Sequence, residues 1–172
     1  MSEQKRSMLA LALGIALLPP IWAVIAPFVG IQTGAVALIC AGLYAARGNQ
    51  VSEAPKMILG FLLGDGWALL AIFFMEKVFH FSPNAELYLT LFILGGLAVI
   101  VGECMSKWIF TPSWLCGWAI GLTIMGPMQL AELGSLPLQI GVAMIVGVVY
   151  VGMGVELFRA KVAELLAGKK HS

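Results

Sequence analysis

Met57–Met75 reads MILGFLLGDGWALLAIFFM, nineteen residues with a single charged side chain, Asp65. An α-helix needs roughly 20 residues, about 17 at the low end, to cross a hydrocarbon core of ~30 Å. This stretch is therefore long enough and apolar enough to span a bilayer. Lipid offers no hydrogen-bond partners, so only helices and closed barrels can cross it. A barrel would alternate apolar and polar residues over segments of roughly ten. The run here is continuously apolar, which predicts a helix.

Five further segments surround it. Counted from the N-terminus, the six cover about 7–29, 33–46, 57–75, 87–102, 109–126 and 138–156. The predicted fold class is all-α: one polytopic membrane helix bundle over residues 1–172, with about six transmembrane helices. The segment at 33–46 is short for a span, so it either extends at its ends or enters the membrane as a re-entrant or broken helix. Composition agrees with a bilayer environment. The chain is 60% apolar and only 11% charged, against about 25% charged in soluble domains. A soluble fold of 172 residues could not cover so much apolar surface. Lys5 and Arg6 ahead of an apolar run resemble a signal peptide, but the run continues through Pro19 and Pro20 to Val29 and shows no small-x-small cleavage site. It is read as a retained first membrane helix.

The basic residues set the expected orientation. With the N-terminus in the cytoplasm, Lys5, Arg6, Arg47, Lys56, Lys107, Arg159, Lys161, Lys169 and Lys170 all fall on the cytoplasmic side, and Lys77 alone falls opposite. This asymmetry obeys the positive-inside rule and places both termini in the cytoplasm. Residues 157–172 form a cytoplasmic tail in which Leu157, Phe158, Val162, Leu165 and Leu166 alternate with Arg159, Lys161 and Glu164. Two readings are open for it: an amphipathic helix lying on the interface, or an extension of the sixth helix packed on its neighbours.

Six segments divide into three and three, and an odd number turns the second set upside down, as in the inverted repeats of many transporters. Leu18-Pro19-Pro20 in the middle of the first segment parallels Leu94-Gly95-Gly96 in the middle of the fourth. Ala23-Val24-Ile25 then parallels Ala98-Val99-Ile100. Thr33-Gly34 opens the second segment as Thr111-Pro112 opens the fifth, and Gly60 and Gly66 match the spacing of Gly141 and Gly147. Pro19, Pro20, Gly95 and Gly96 are the expected helix breaks. Proline removes a backbone donor and crowds the preceding turn, so the result is either a kink or carbonyls freed to bind a solute.

Within the apolar runs Asp65 is the one deeply placed ionisable residue. It lies roughly 12 Å along its helix at ~1.5 Å per residue, and a carboxylate at such depth costs at least ~2.5 kcal/mol. Asp65, with Gly64, Gly66 and Trp67 around it, is the candidate site for a proton, a cation or a polar solute; a structural hydrogen bond to another helix is the plainer reading. Glu103 and Glu156 close the fourth and sixth segments and mark a candidate cytoplasmic mouth. Interfacial pairs with Lys107 and Arg159 would account for them equally. Gly60-x-x-x-Gly64 and Gly117-x-x-x-Gly121 provide small faces for helix contact. Thr33, Tyr44, Thr111, Ser113, Thr123 and Tyr150 add neutral hydrogen-bonding groups.

No catalytic residues, cofactor or metal site is expected, and the chain is not read as an enzyme. It has no HExxH motif, no Walker-type loop, and no serine placed with a membrane-embedded histidine. Cys40, Cys104 and Cys116 lack a CxxC spacing and are read as packing residues. No basic cluster sits beside stacking aromatics, so no nucleic-acid partner is expected. The stretches GAVALICAGLYAA (Gly34–Ala46), Gly66-Trp67-Ala68 and TPSWLCGWA (Thr111–Ala119) look similar to the YcdZ-like family, small bacterial inner-membrane proteins with a domain of unknown function. The likeness spans most of the membrane region. It departs at Ser113-Trp114, where glycine followed by a small residue and phenylalanine is common. The resemblance implies a bacterial inner membrane and small-residue motifs shared by the second and fifth segments, and it supplies no substrate.

The functional expectation is a channel or secondary transporter for a small solute, with the lipid bilayer as surroundings and assembly as a homo-oligomer an open option. The alternative is a non-transporting scaffold or accessory subunit in which Asp65 only pins helices together. The orientation is testable with single cysteines in a background lacking the three native ones. Cysteine at Asn49 or Ser106 should react with an impermeant maleimide only after the membrane is opened, and cysteine at Asn84 should react in intact spheroplasts; the reverse pattern would overturn it.

Overall fold

The computed structural model describes residues 3–168, and every described element is helical. The helices are α1 (Glu3–Ile25), α2 (Val36–Ala46), α3 (Ala54–Phe73), α4 (Pro83–Cys104), α5 (Thr111–Met125), α6 (Leu136–Val146) and α7 (Gly154–Gly168). A π-helical stretch, Gly147–Met153, joins α6 to α7 in one helical run, and another, Phe74–Val78, ends α3. Proline sits in the first turn of α3, α4, α5 and α6, where its missing N–H costs nothing and its fixed φ suits the helix. Glycines end the irregular stretches: Gly30 (φ 80°) follows the 3₁₀ turn Ala26–Val29, and Gly48 (φ 85°), with Asn49 (φ 56°), follows α2. Left-handed backbone of this kind is what stops a helix.

All six expected segments are helical, but their lengths differ. Four stretches are long and apolar enough to cross a membrane: Gln4–Val29, Val51–Val78, Pro83–Cys104 and Leu136–Val162. Helix α2, with 11 residues, and α5, with 15, fall short. At ~1.5 Å per residue they reach about 16 and 22 Å, against a core of ~30 Å. The shortfall anticipated for 33–46 is therefore real, and α5 shares it. At the expected helix breaks the helix continues on both sides. α1 runs unbroken through Pro19 and Pro20, and α4 through Gly95 and Gly96. Two prolines withhold two N–H groups while the rest of a 23-residue ladder holds the chain, and glycine keeps its N–H. Residues 157–168 continue the sixth helix and pack on α1, where Gly14 faces Phe158 and Val155. Residues 169–172 of the expected tail lie outside the described residues.

Helix α3 is the centre of the bundle. It lies along α5 and also touches α6, while α2 lies on the π-helical stretch and α1 on α7. The α3–α5 crossing is a backbone-to-backbone contact. A Cβ added to Gly64 would overlap the Trp114 carbonyl, one on Gly117 would overlap the Phe61 carbonyl, and one on Gly60 would overlap Ser113. The order of these contacts, Gly60 with Ser113, Gly64 with Gly117 and Ala68 with Gly121, shows two helices running in the same direction. In lipid there is no hydrophobic drive between helices, so close packing of small residues supplies the attraction. Gly147 meets Ala37 and Cys40 of α2 in the same manner, and Gly152 meets the Tyr44 ring.

These contacts separate the glycines of α3 by role. Gly64→Ala and Gly117→Ala should each cost about 1–3 kcal/mol through overpacking, read as a lowered melting midpoint in detergent. Gly66 has open space beside it, so Gly66→Ala should be neutral or gain up to ~1 kcal/mol of helix propensity. Equal effects at Gly64 and Gly66 would refute the crossing.

Candidate functional site around Asp65

The four residues Gly64-Asp65-Gly66-Trp67 point in different directions, because successive residues of a helix are about 100° apart. Gly64 is consumed by the α5 backbone. Gly66 is exposed on the outer face with nothing near it, so the structure does not bring it to the site. Trp67 turns toward α4, where its Nε1 donates to the Leu94 carbonyl at 3.1 Å. Its ring stands edge-on to Trp114, with centroids 5.1 Å apart at 89°. Asp65 turns its carboxyl group inward, toward Gly121 of α5. It is 6% exposed and is the one charged side chain in the described core. A Cβ on Gly121 would lie 3.2 Å from Asp65 Oδ1, so the absence of a side chain at 121 makes room for the carboxyl group.

Asp65 Oδ1 is buried and has no hydrogen-bond partner. Burying a polar group without one costs several kcal/mol at the upper end of measured scales. The expected structural hydrogen bond to a neighbouring helix is therefore not what holds this oxygen. Tyr44 Oη, Thr90 Oγ1, Thr33 Oγ1 and the Nε1 atoms of Trp114 and Trp118 share its condition. Thr90 was not singled out in the sequence, and Trp114 was named only as part of the Ser113-Trp114 departure. The only signal was the i, i+4 spacing of Trp114 and Trp118, which puts both indoles on one face of α5. On α4, a Cβ added to Gly95 would lie 3.7 Å from the Trp118 ring, while Gly96 faces open space.

The two glutamates of the expected mouth belong to two polar clusters at the end of the bundle that carries most of the basic residues. Glu103 accepts from Thr111 Oγ1 at 2.9 Å and borders a cavity of about 310 Å³ shared with Arg47, Glu53 and Lys56. Glu53 pairs with Arg47 at 3.2 Å and with Lys56 at 3.3 Å. Glu156 pairs with Arg159, as their spacing suggested, and also accepts from Asn49 Nδ2 at 2.9 Å. Arg159 then donates to Ser7 Oγ at 2.7 Å, tying α1 and the α2–α3 connection to the sixth helical run. Among the described residues no three His, Cys, Asp or Glu side chains gather into a metal-binding group.

Three further spaces adjoin one another beneath α1. A cavity of about 210 Å³ between Pro19, Leu38, Ala41 and Asn49 abuts one of about 270 Å³ that shares Pro19, Leu38 and Val151. A third, about 500 Å³, shares Trp22 and Ile31 with the second and opens near Ser135 and Gln139. Asp65 lines none of the three.

An all-helical bundle with four helices of membrane length and a carboxyl group sealed in its core defines a helical membrane protein. The chain belongs to the family described as "Protein of unknown function (DUF1097)", whose pattern matches residues 12–160. No curated protein and no solved structure matches it.

The Trp67 indole is one of the few polar ties between α3 and α4. Trp67→Phe removes the donor to Leu94 and should cost about 1 kcal/mol, seen as faster amide exchange along α4. Trp108, 69% exposed, is the control: Trp108→Phe should leave that exchange unchanged.

Proposed function

We propose that the chain is a channel or secondary transporter for a small solute and that Asp65 meets the solute, or a proton that accompanies it, along the path. The observation that carries this reading is the Asp65 carboxyl oxygen, buried at the depth of the helix crossing with no partner inside the protein. An intramembrane carboxyl group is expensive and is by default a candidate for ion or proton handling. The reading includes no catalytic step.

An inverted-repeat architecture belongs to the same proposal, and the burial pattern supports it. Shift α2 by 77 positions, one fewer than the Thr33–Thr111 parallel in the sequence, so that Gly34 aligns with Thr111. The buried residues Gly34, Val36, Ala37, Cys40, Ala41 and Tyr44 then coincide with Thr111, Ser113, Trp114, Gly117, Trp118 and Gly121, all buried in α5. Shift α3 by 83 positions, so that Gly147 aligns with Gly64 rather than Gly66, the partner its sequence spacing suggested. Met57, Gly60, Phe61, Gly64, Asp65 and Ala68 then coincide with Ile140, Ala143, Met144, Gly147, Val148 and Val151, again all buried. In each half a short second helix packs in the same direction on the third helix of the other half. Short segments at corresponding places in two inverted halves are the usual pointer to a transport site. The two halves differ where it matters: Asp65 faces Gly121 in one, and Val148 and Tyr44 take those places in the other.

The same reading places the protein in a bacterial inner membrane with both termini cytoplasmic, as the basic-residue asymmetry and the likeness to the YcdZ-like proteins imply. The test is solute entry into liposomes holding purified protein, across urea, glycerol, formate, acetate, ammonium and protons. One solute should pass, and Asp65→Asn should cut its flux by about tenfold or more, a barrier change of ~1.4 kcal/mol, while the variant still elutes as wild type. No flux above empty liposomes, together with an Asp65→Asn variant that falls apart in detergent, would favour the scaffold reading.

A further inference from the structure

The crevice beneath α1 has a counterpart in the other half, and the counterpart is full. Under the same 77-position shift Ala41 corresponds to Trp118. The parallel between Leu18-Pro19-Pro20 and Leu94-Gly95-Gly96 pairs Pro19 with Gly95. In the α4–α5 half a Cβ added to Gly95 would stand 3.7 Å from the Trp118 ring, so the indole lies against α4 at van der Waals range. In the α1–α2 half Pro19 and Ala41 are instead walls of the 210 Å³ cavity. Where one half carries its own indole ring, the other carries a methyl group and an empty volume.

We infer that this crevice is a binding site for a free, neutral, planar aromatic molecule of about the size of indole, carrying one N–H donor. The ring class follows from the counterpart, whose occupant is an indole. The size follows from the volume, since about 150 Å³ of apolar cavity suffices for benzene. The walls suit an uncharged ring: Leu11, Ile15, Leu38, Val151 and Val155 are apolar, and Asn49, at one end, is the one polar side chain among those that line the first cavity. The donor follows from Pro19. It has no N–H to give the Ile15 carbonyl, so that oxygen lacks its α-helical partner, and both residues line the cavity. A molecule with a single N–H can pair there or with Asn49. The choice of ligand shape rests on the inverted-repeat reading, whereas the cavity itself does not, and neither depends on Asp65 carrying a solute.

Photolabelling tests it without any flux measurement. The full chain in dioleoyl phosphatidylcholine nanodiscs is illuminated with 5-azidoindole, and adducts are located by peptide mass spectrometry. Adducts should concentrate on the α1 and α2 walls of the crevice and fall about tenfold with excess indole. Leu38→Trp and Ala41→Trp, which fill the space as Trp118 fills its counterpart, should abolish them. Leu38 is 53% exposed, so a ring there leaves the core intact even if Ala41→Trp does not fold. Leu115→Trp, the corresponding change in the other half, and Asp65→Asn should both leave labelling at the wild-type level. Adducts that excess indole does not suppress, or that persist in Leu38→Trp, would mean simple partitioning or a lipid chain in the crevice, and the proposal would fail.

Discussion

Everything in this bundle is referred to the contact between α3 and α5, where two backbones touch with no side chain between them. Gly60, Gly64 and Gly117 make the approach possible, and the consequences spread from there. Because Gly64 is spent on the contact, Asp65 one position on is turned to the same interface, against Gly121. Because α5 lies so close to α3, its two indoles are pushed to the far side and fill the gap to α4. The bilayer makes this economical. Helices already surrounded by hydrocarbon gain little from burying more apolar surface, so dispersion at short range decides which faces meet.

The same contact is made a second time with different residues. Gly147 admits α2 to the sixth helical run as Gly64 admits α5 to α3. The repetition is in the geometry, while the chemistry at the two crossings diverges. One crossing holds a carboxyl group with room beside it; the other holds Val148 and the Tyr44 ring. One outer space is closed by tryptophan, and the other is left open beneath α1. The two crossings therefore present different chemistry, a buried carboxyl group at one and an aliphatic side chain beside an aromatic ring at the other.

The polar clusters at the basic end have a separate purpose. Glu156, Arg159, Asn49 and Ser7 join the ends of three stretches of chain that already pack on one another, and Glu53 draws Arg47 and Lys56 together beside Glu103. Charges at a membrane surface are cheap, because water and headgroups solvate them, so such networks hold helix ends in place without the cost that Asp65 incurs.

The sequence by itself determined the solvent, the helical class and the location of the elements. Continuous apolar runs admit no other structure in lipid, and prolines and glycines mark where each run starts and stops. It also singled out Asp65, since one charge in a run such as Met57–Met75 stands apart on energy alone, and it found the shortness of 33–46 by counting. Only the tertiary structure decided what each residue does there. Gly64 and Gly66 look alike in sequence, yet one is enclosed by a neighbouring backbone and the other faces outward, because a rotation of two residues about a helix reverses the side. Pro19, Pro20, Gly95 and Gly96 do not break their helices, because a long ladder outweighs the loss of two donors. Trp114 and Trp118 read as ordinary apolar residues until α4 is laid across them. The crevice beneath α1 has no sequence signal of its own, since its shape is defined by the helices around it.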